Sequence, residues 1–332
     1  MMTLVCGPMA TLSHQAFRMS VEDFGGCDCY FTEMINAASL LNLGPFEKFY
    51  LLSDPVPEKI VWQLTGNSVE PIVKAASIVA QKSGIGVDLN MGCSAPQIYK
   101  TGAGISWMLK PLSETANLVS SVKKVLDSYE KESGKHQRLS VKCRLGAEDF
   151  TDKSFFDFTD MLVSEGVESI TLHPRTIKEK LRGTPRYSYA QELALRYPDL
   201  EIFVNGEIKD ENSANIAIKK CPNVKGLMIA RAAAQKPWIF LQLKKNFSNE
   251  DFSEVSVDRK KVALNFVDYV EKYQPEEFYK TRIQRFFTYY CDNFSFGHYF
   301  RTQILNFHSM EETREKINDY FQKVPDDEFL KF

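Results

Sequence analysis

The sequence predicts a closed (β/α)8 TIM barrel over residues 1–245, followed by a small all-helical domain over residues 246–332. In the first segment, eight short runs of apolar and β-branched residues alternate with amphipathic stretches of helical period. Eight such units in about 245 residues suit a closed barrel better than an open doubly wound sheet. In the second segment, long aromatic-rich helical patterns appear with few glycines and no strand alternation.

The composition is that of a folded protein without a global attraction to polyanions. Of the 332 residues, 44% are hydrophobic and 25% are charged, which excludes disorder and fibre. Lys and Arg total 41 against 43 Asp and Glu, so any polyanionic partner must be held by a local patch. The sequence has no apolar run near the roughly 18 residues of a membrane span, and it begins without signal-peptide features. We therefore expect a cytoplasmic protein that does not bind a membrane.

The cysteines indicate neither disulfides nor a metal site. Seven are scattered along the chain without the Cys-x-x-Cys pairs of a structural zinc site. They are Cys6, Cys27, Cys29, Cys93, Cys143, Cys221 and Cys291. We expect reduced thiols and no bound metal.

Each predicted strand has three to six residues and is rich in apolar or β-branched residues. The strands are Leu4–Cys6, Cys29–Thr32, Ile60–Leu64, Val87–Asn90, Leu139–Arg144, Ser169–His173, Ile202–Asn205 and Gly226–Ile229. The expected helices include Val69–Lys82, Ser113–Glu132, Asp210–Lys220, Val257–Tyr273, Phe278–Cys291 and Met310–Val324. Ser113 is expected to cap the second of these helices.

Glycine motifs argue further against an open nucleotide-binding sheet. Gly102-Ala-Gly104 is similar to the start of a dinucleotide-binding turn, but Trp107 stands where the third glycine is needed. The chain also lacks the phosphate-binding pattern Gly-x-x-x-x-Gly-Lys-Ser/Thr. Both observations favour the barrel.

Polar side chains close almost every predicted strand. Barrel enzymes carry their active sites on the loops after the carboxyl ends of the strands, so these side chains should share one rim. In chain order the strand ends carry Gly7-Pro8-Met9, Thr32-Glu33-Met34, Gln63, Asp88-Leu-Asn90-Met-Gly-Cys93, Lys142-Cys-Arg144, His173-Pro-Arg175, Asn205-Gly206-Glu207 and Ala230-Arg231. Taken singly, each has an ordinary structural explanation. Their convergence on one rim indicates a functional site.

The rim has features suited to a flavin nucleotide. Gln63, Lys142, His173 and Asn205 would surround the mouth with hydrogen-bonding groups for a large, polar, electron-accepting ring. The loops after the seventh and eighth strands are the usual phosphate site of this fold. A phosphate-bearing cofactor such as FMN fits this arrangement.

Nine short segments carry a family resemblance that covers the barrel from end to end. They are Gly7-Pro8-Met9, Phe31-Thr-Glu-Met34, Val87-Asp-Leu-Asn-Met-Gly-Cys93, Lys100-Thr-Gly-Ala-Gly104, Val141-Lys-Cys-Arg-Leu-Gly146, Leu172-His-Pro-Arg-Thr176, Val204-Asn-Gly-Glu-Ile208, Gly226-Leu-Met-Ile-Ala-Arg-Ala232 and Lys236-Pro-Trp-Ile-Phe240. In this order they resemble the motifs of the dihydrouridine synthase family, flavoenzymes that reduce uridines in RNA to 5,6-dihydrouridine. The Asp-Leu-Asn-Met-Gly-Cys segment is the most specific of them.

The resemblance implies a role for most of the rim. Cys93 would donate a proton to C5 of a uracil whose C6 receives hydride from FMN, since a thiol is mostly protonated at neutral pH. NADPH would re-reduce the flavin. Asn90 would bind the uracil edge, Lys100 would order its own loop or reach the RNA, and Arg175 would contact the substrate or the phosphate. Contacts with FMN are implied for Pro8, Met9, Gln63, Lys142, His173, Asn205, Gly206, Glu207, Ala230 and Arg231.

The helical domain is expected to bind RNA, with tRNA as the family's usual target. It is acidic overall, with 12 Lys and Arg against 16 Asp and Glu, but cations and aromatic residues interleave in it. The cations are Lys280, Arg282, Arg285 and Arg301, and the aromatic residues are Tyr279, Phe286, Tyr289 and Tyr290. A target uridine must leave its stack to reach the flavin, which requires surface beyond the barrel mouth.

Four positions depart from the family pattern, and two other functions stay open. Ser94 stands where proline is usual and Phe286 where histidine is common. Ala230 and Ala232 replace the glycines that usually flank the arginine. The other functions are an FMN barrel of the dihydroorotate dehydrogenase kind acting on a free pyrimidine, and a flavin-free RNA-binding protein. We expect a monomer, and the sequence leaves open the target uridine and the choice between NADPH and NADH.

Overall fold

A closed ring of eight strands forms the centre of the fold. The structure, a computed structural model, describes residues 2–147, 150–248 and 254–332. The barrel strands are β1 (Thr3–Cys6), β2 (Cys29–Phe31), β3 (Ile60–Thr65), β4 (Gly86–Met91), β5 (Arg138–Cys143), β6 (Ser169–Leu172), β7 (Glu201–Asn205) and β8 (Gly226–Ile229). Each strand pairs in parallel with the next, and β8 pairs with β1. The predicted barrel is confirmed, and each strand ends within one residue of its predicted bounds.

The alternation of side chains along each strand places an apolar layer inside the barrel, beneath the polar residues at the carboxyl ends of the strands. Successive side chains of a strand point to opposite faces, so residues two apart share a face. An apolar cluster separate from the main core is formed by Val5, Cys29, Phe31, Val61, Phe203 and Met228. Gln63 comes two residues after Val61, and Asn205 two residues after Phe203. The polar strand ends therefore lie directly above this cluster, on the inward face.

Eleven described α-helices lie between and after the barrel strands. They are α1 (Gln15–Glu22), α2 (Ala37–Leu41), α3 (Glu47–Tyr50), α4 (Val69–Ala80), α5 (Pro96–Tyr99), α6 (Leu112–Ser133), α7 (Asp152–Ser164), α8 (Tyr187–Arg196), α9 (Glu211–Lys220), α10 (Arg231–Gln235) and α11 (Ile239–Phe247). Thr151 and Asp210 form capping boxes that fix the starts of α7 and α9. Among the described residues, none of the helices is both long and apolar enough to cross a membrane.

The start of α6 differs from the prediction. Ser113 lies inside the first turn, because the helix begins at Leu112 and its N-cap is Pro111. The N–H of Glu114 donates to the Pro111 carbonyl at 2.9 Å. Lys110 pairs with Glu114 at 2.6 Å across the same turn. A proline start with an ion pair therefore replaces the predicted serine cap.

Four further helices and a short ribbon follow the barrel. The helices are α12 (Arg259–Tyr273), α13 (Glu276–Tyr290), α14 (Gly297–Leu305) and α15 (Met310–Lys323). The ribbon pairs β9 (Ser256–Asp258) with β10 (Phe329–Lys331) in antiparallel fashion and joins the two ends of the region. Strands of three residues are too short to show alternation in the sequence. The domain division after residue 245 stays a prediction, and residues 249–253 of the second segment lie outside the described residues.

Stacked aromatic rings form the core of this helical region. Phe266 stacks on Phe286 at a centroid distance of 3.8 Å, and Phe286 stacks on Tyr290 at 4.9 Å. Phe286 and Tyr290 are fully buried. Phe286 therefore packs in the core, and its departure from the family pattern is a packing difference rather than a change on the surface.

The helical region packs against the barrel beside α1 and extends to the carboxyl ends of the barrel strands. Tyr269 on α12 donates its hydroxyl to Asp23, just after α1, at 2.9 Å. Arg282 on α13 forms an ion pair of 2.6 Å with Glu33, two residues after β2. Because Glu33 follows the carboxyl end of a strand, this ion pair places α13 next to the barrel mouth.

Candidate active site

A chain of buried amide and carboxyl groups ties β3, β4 and β5 together at the mouth. Gln63 Nε2 donates to Asp88 Oδ2 at 2.7 Å, and Asn90 Nδ2 donates to Gln63 Oε1 at 2.9 Å. Ser140 Oγ donates to the other oxygen of Asp88 at 2.8 Å. Burial raises the pKa of Asp88 to about 7, against the opposing effect of these hydrogen bonds. Gln63 is fully buried and supports Asn90, so its contact with a flavin stays a prediction.

Asn90 in turn fixes the loop that carries Cys93. Its Oδ1 accepts the N–H of Cys93 at 3.0 Å and that of Gly92 at 3.3 Å. Directly after β5, Arg144 Nε donates to the Gly92 carbonyl at 3.0 Å. Cys93 is partly exposed, whereas the other six cysteines are buried. The arrangement therefore holds one thiol at the rim, where a ligand can reach it.

Lys142 supplies a cation on the inward face of β5, two residues after Ser140. Burial, followed by the nearby positive charge of Arg144, lowers the pKa of Lys142 to about 8. Within the described chain its ammonium has neither a hydrogen bond nor an ion pair. A desolvated cation without a close partner is typical of ligand-binding sites.

A second network lies across the mouth, under the loops after β6 and β7. Arg175 Nη1 donates to His173 Nε2 at 3.1 Å, and Arg175 Nη2 lies 3.3 Å from Glu207 Oε1. Burial, and then the cations Arg144 and Lys142, lower the pKa of His173 to about 2, so the ring is neutral at physiological pH. Because Nε2 accepts a hydrogen bond, the ring proton lies on Nδ1, where it can be donated to a ligand.

The loops after β7 and β8 meet beside His173. Gly206 adopts φ +119°, and a Cβ there would lie only 3.0 Å from His173 Cδ2. Asn205 Nδ2 donates to a carbonyl of β8 at 2.8 Å. Arg231 is exposed, and its Nη2 lies 3.4 Å from Glu207 Oε1. The predicted cofactor residues of the two loops, Asn205, Gly206, Glu207 and Arg231, therefore lie beside His173 at one edge of the rim.

Pro8, Met9 and Ala230 complete the predicted cofactor set at the junction of β8 and β1. The N–H of Gly7 donates to the Ile229 carbonyl at 2.7 Å. A Cβ at Gly7 would lie 3.3 Å from Ala230 Cβ, so the two strand ends are in close contact. Pro8 is half-buried and Met9 is buried. The predicted cofactor residues thus follow six of the eight strands around one mouth.

Some predicted RNA contacts lie at the surface. Lys100, at the end of α5, and Lys280, on α13, are exposed. Arg285 is partly exposed and lies over the ring of Tyr289 at 5.3 Å. Arg301 is ion-paired with Asp292, so part of its charge is already neutralised. RNA binding by these cations stays a prediction.

Two predicted RNA contacts, Arg175 and Arg282, are buried instead. Arg175 is 1% exposed and Arg282 is 2% exposed. Arg175 holds His173 and Glu207, as described above, while Arg282 holds Glu33. Neither guanidinium reaches the surface, because each is directed toward a buried partner, and we assign both a positioning role.

Asp88, Arg144 and Glu33 hold the site together in the structure, although no role is predicted for them from the sequence. A signal existed for the first two, since Asp88 shares a strand face with Asn90, and Arg144 follows Lys142 by two residues. Glu33 gives no such signal. Its partner Arg282 is 249 positions away along the chain.

The fold and the rim define the chain as a barrel enzyme with its site at the carboxyl ends of the strands. The family model described as "Dihydrouridine synthase (Dus)" matches residues 4–325. The chain therefore belongs to the dihydrouridine synthase family, which confirms the resemblance in its sequence and makes it an oxidoreductase acting on a CH–CH bond.

Curated relatives are similar over most of their length. A probable tRNA-dihydrouridine synthase of Helicobacter pylori (strain 26695) is 30% identical over 247 residues, 73% of this chain and 70% of that protein. A probable tRNA-dihydrouridine synthase of Aquifex aeolicus is 28% identical, over 73% of this chain and 72% of that protein. Probable tRNA-dihydrouridine synthase 2 of Bacillus subtilis is 25% identical over 97% of this chain and 95% of that protein. The last similarity includes the helical region.

Solved structures support the barrel fold alone. Morphinone reductase superposes with a TM-score of 0.50 at 10% identity, covering 75% of this chain and 87% of that one. An old yellow enzyme homologue from Zymomonas mobilis superposes with a TM-score of 0.50 at 11% identity, covering 83% and 94%.

Proposed function

We propose that this enzyme reduces uridines in RNA, with tRNA as the favoured substrate, to 5,6-dihydrouridine, using FMN as cofactor and NADPH as electron donor. The observation that carries the proposal is the placement of Cys93. It is the one partly exposed thiol among the seven, on a loop fixed by Asn90 and Arg144. A proton donor for a pyrimidine carbon has to be both reachable and held still.

The residues of the rim fit a flavin with a phosphate tail. Lys142 has an unpaired ammonium and neutral His173 has a free Nδ1–H, so both can donate to a polar ring system. At Gly206 the absence of a side chain lets the backbone come close to His173, as a cofactor-binding turn requires. Exposed Arg231 offers a cation at the same edge. When bound and reduced by NADPH, FMN would supply the hydride for C6 of the uracil.

Cys93 provides the second half of the reduction. Its S–H bond breaks and the proton moves from Sγ to C5, so the C5–C6 double bond gains one hydride and one proton. The thiolate then regains a proton from water, because the side chain is partly exposed. Asn90 donates one amide hydrogen to Gln63, which leaves the other for a uracil carbonyl. Lys142 places a positive charge at the mouth, where negative charge develops during electron transfer.

NADPH oxidation by the purified protein tests the proposal against the free-pyrimidine alternative. We expect a flavin absorbance spectrum, and NADPH oxidation coupled to product formation when unmodified tRNA transcript is added. Turnover of dihydroorotate or free uracil without RNA would contradict the proposal. A colourless protein that still binds RNA would contradict it in favour of the flavin-free alternative.

A further inference from the structure

The loop between β6 and α8, residues 174–186, carries several exposed cations at the barrel mouth. Four of its cations are exposed: Lys178, Lys180, Arg182 and Arg186. Glu179 is its one acidic residue. Arg175 is the one residue of this loop that the sequence predicts to contact the ligands, and in the structure it is buried. We call residues 174–186 the β6–α8 loop.

Buried arginines hold this loop in a defined shape from below. Arg144 Nη1 donates to the Lys180 carbonyl at 2.9 Å, and Arg175 Nε donates to the Gly183 carbonyl at 3.2 Å. The N–H of Ile177 donates to the Gly146 carbonyl at 3.0 Å. These bonds use backbone groups of the loop and leave the exposed side chains of Lys180 and Arg182 available to a ligand.

Glu179 neutralises one cation of the loop, whereas Lys180 and Arg182 remain as exposed positive charges. Glu179 accepts the N–H of Thr176 at 2.7 Å and pairs with Arg186, so it neutralises Arg186. Lys180 adopts φ +50°, a conformation that a residue with a side chain holds only when its surroundings fix it. Within the described chain, neither Lys180 nor Arg182 has an ion pair.

The loop lies beside the reacting thiol. The guanidinium that holds Lys180 also donates, through Nε, to the carbonyl of Gly92, the residue before Cys93. One side chain, Arg144, therefore joins the cationic loop to the loop of the proton donor. A uracil in contact with Cys93 would bring its own backbone close to the β6–α8 loop.

We infer that the β6–α8 loop binds the RNA backbone next to the target uridine through the phosphates, with Lys180 and Arg182 as the main contacts. The inference rests on the proposed function. Three other arginines near the mouth have carboxylate partners, since Glu33 pairs with Arg282, and Glu207 lies near both Arg175 and Arg231. Two exposed cations without ion pairs among the described residues, Lys180 and Arg182, suit the backbone of a nucleic acid, whereas a dinucleotide takes an enclosed site.

RNA binding by the full-length variant Lys180→Glu/Arg182→Glu tests the inference. Loss of two phosphate contacts should lower the slope of log affinity against log salt by about 1.4–1.8 and weaken binding of unmodified tRNA transcript on the order of tenfold at low salt. The matched control is Lys219→Glu/Lys220→Glu, with the same charge change on exposed residues at the far end of α9. The control should bind as the wild type does.

Three outcomes would separate the alternatives. RNA affinity and salt slope equal to the control would overturn the inference. A raised KM for NADPH with unchanged RNA affinity would also overturn it, and would assign the loop to the dinucleotide phosphate. Because RNA affinity is measured without turnover, a wild-type protein that fails to reduce uridine contradicts the proposed function and not the binding role of the loop.

Discussion

Replacing Arg282 with methionine tests whether the buried ion pair with Glu33 holds the helical region on the barrel. The two side chains are 3% and 5% exposed, and the N–O distance is 2.6 Å. Glu33 also accepts the N–H of Thr11, so its carboxylate is the meeting point of α13 and the loop after β1. Methionine keeps the length of the side chain and removes the charge.

The burial of this ion pair predicts that Arg282→Met lowers the free energy of unfolding substantially. Removing one partner of a buried ion pair typically costs about 3–5 kcal/mol, because the other charge is left uncompensated. Arg18 also lies within electrostatic range of Glu33 and compensates part of its charge. We therefore expect the lower part of this range, about 3 kcal/mol in the free energy of unfolding. Glu33→Gln should cost a similar amount, and the double variant should cost less than the sum.

The pH dependence of the variant provides a second readout. Burial raises the pKa of Glu33, whereas Arg282 opposes that shift, so the variant has the higher pKa. When folding raises the pKa of a carboxyl group, the protein loses stability as the pH rises from the pKa of the unfolded state to the pKa of the folded state. The deficit of Arg282→Met should therefore shrink as pH is lowered toward about 4.3, the ordinary pKa of glutamate.

Urea unfolding at several pH values measures both quantities. A cost below about 1 kcal/mol, the value for an exposed pair, would refute the reasoning. Strictly additive costs in the double variant would refute it as well.

Two further predictions concern the flavin site. Because the pKa of Lys142 is lowered to about 8, its charge is lost as pH rises through that value; flavin affinity should fall above pH 8 in the wild type but not in Lys142→Arg, since arginine stays charged. Fluorescence titration on both sides of pH 8 checks this, and an equal fall in the variant would argue against Lys142. Gly206→Ala should lower the free energy of unfolding by more than Gly134→Ala, because both positions have φ above zero but only Gly206 would bring a Cβ within 3.0 Å of His173. Weaker flavin binding should accompany the Gly206 change, and equal effects of the two variants in thermal unfolding would contradict the role of the close contact.

The arrangement of the barrel mouth could be predicted from the sequence because it depends on local periodicity. A strand repeats every two residues, so Gln63, Lys142 and Asn205 share a face with the residues two positions before them. Parallel strands align their carboxyl ends, so residues far apart in the chain meet at one rim. Those two rules suffice to bring the strand-end residues to one site.

The burial of Arg175 and Arg282 could not be predicted in this way. Whether an arginine faces solvent or a buried carboxylate depends on which distant segment packs over it, and neither Glu33 nor Glu207 is near its arginine in the sequence. The sequence shows that Lys180 and Arg182 are positively charged, but it does not show which way their side chains point. That direction depends on the contact of Arg144 with the Lys180 carbonyl.

Nucleoside mass spectrometry of tRNA treated with the purified enzyme and NADPH shows directly whether the enzyme reduces uridine and whether Cys93 takes part. We expect uridine carrying two additional hydrogens in the wild-type reaction. Cys93→Ala should retain its flavin absorbance, but its rate of uridine reduction should fall by a factor of about 10² or more, which is the usual contribution of a positioned general acid. Cys221→Ala, which removes a buried thiol, should keep the wild-type rate. Full activity in Cys93→Ala, or no dihydrouridine from a flavin-loaded wild type, would contradict the account.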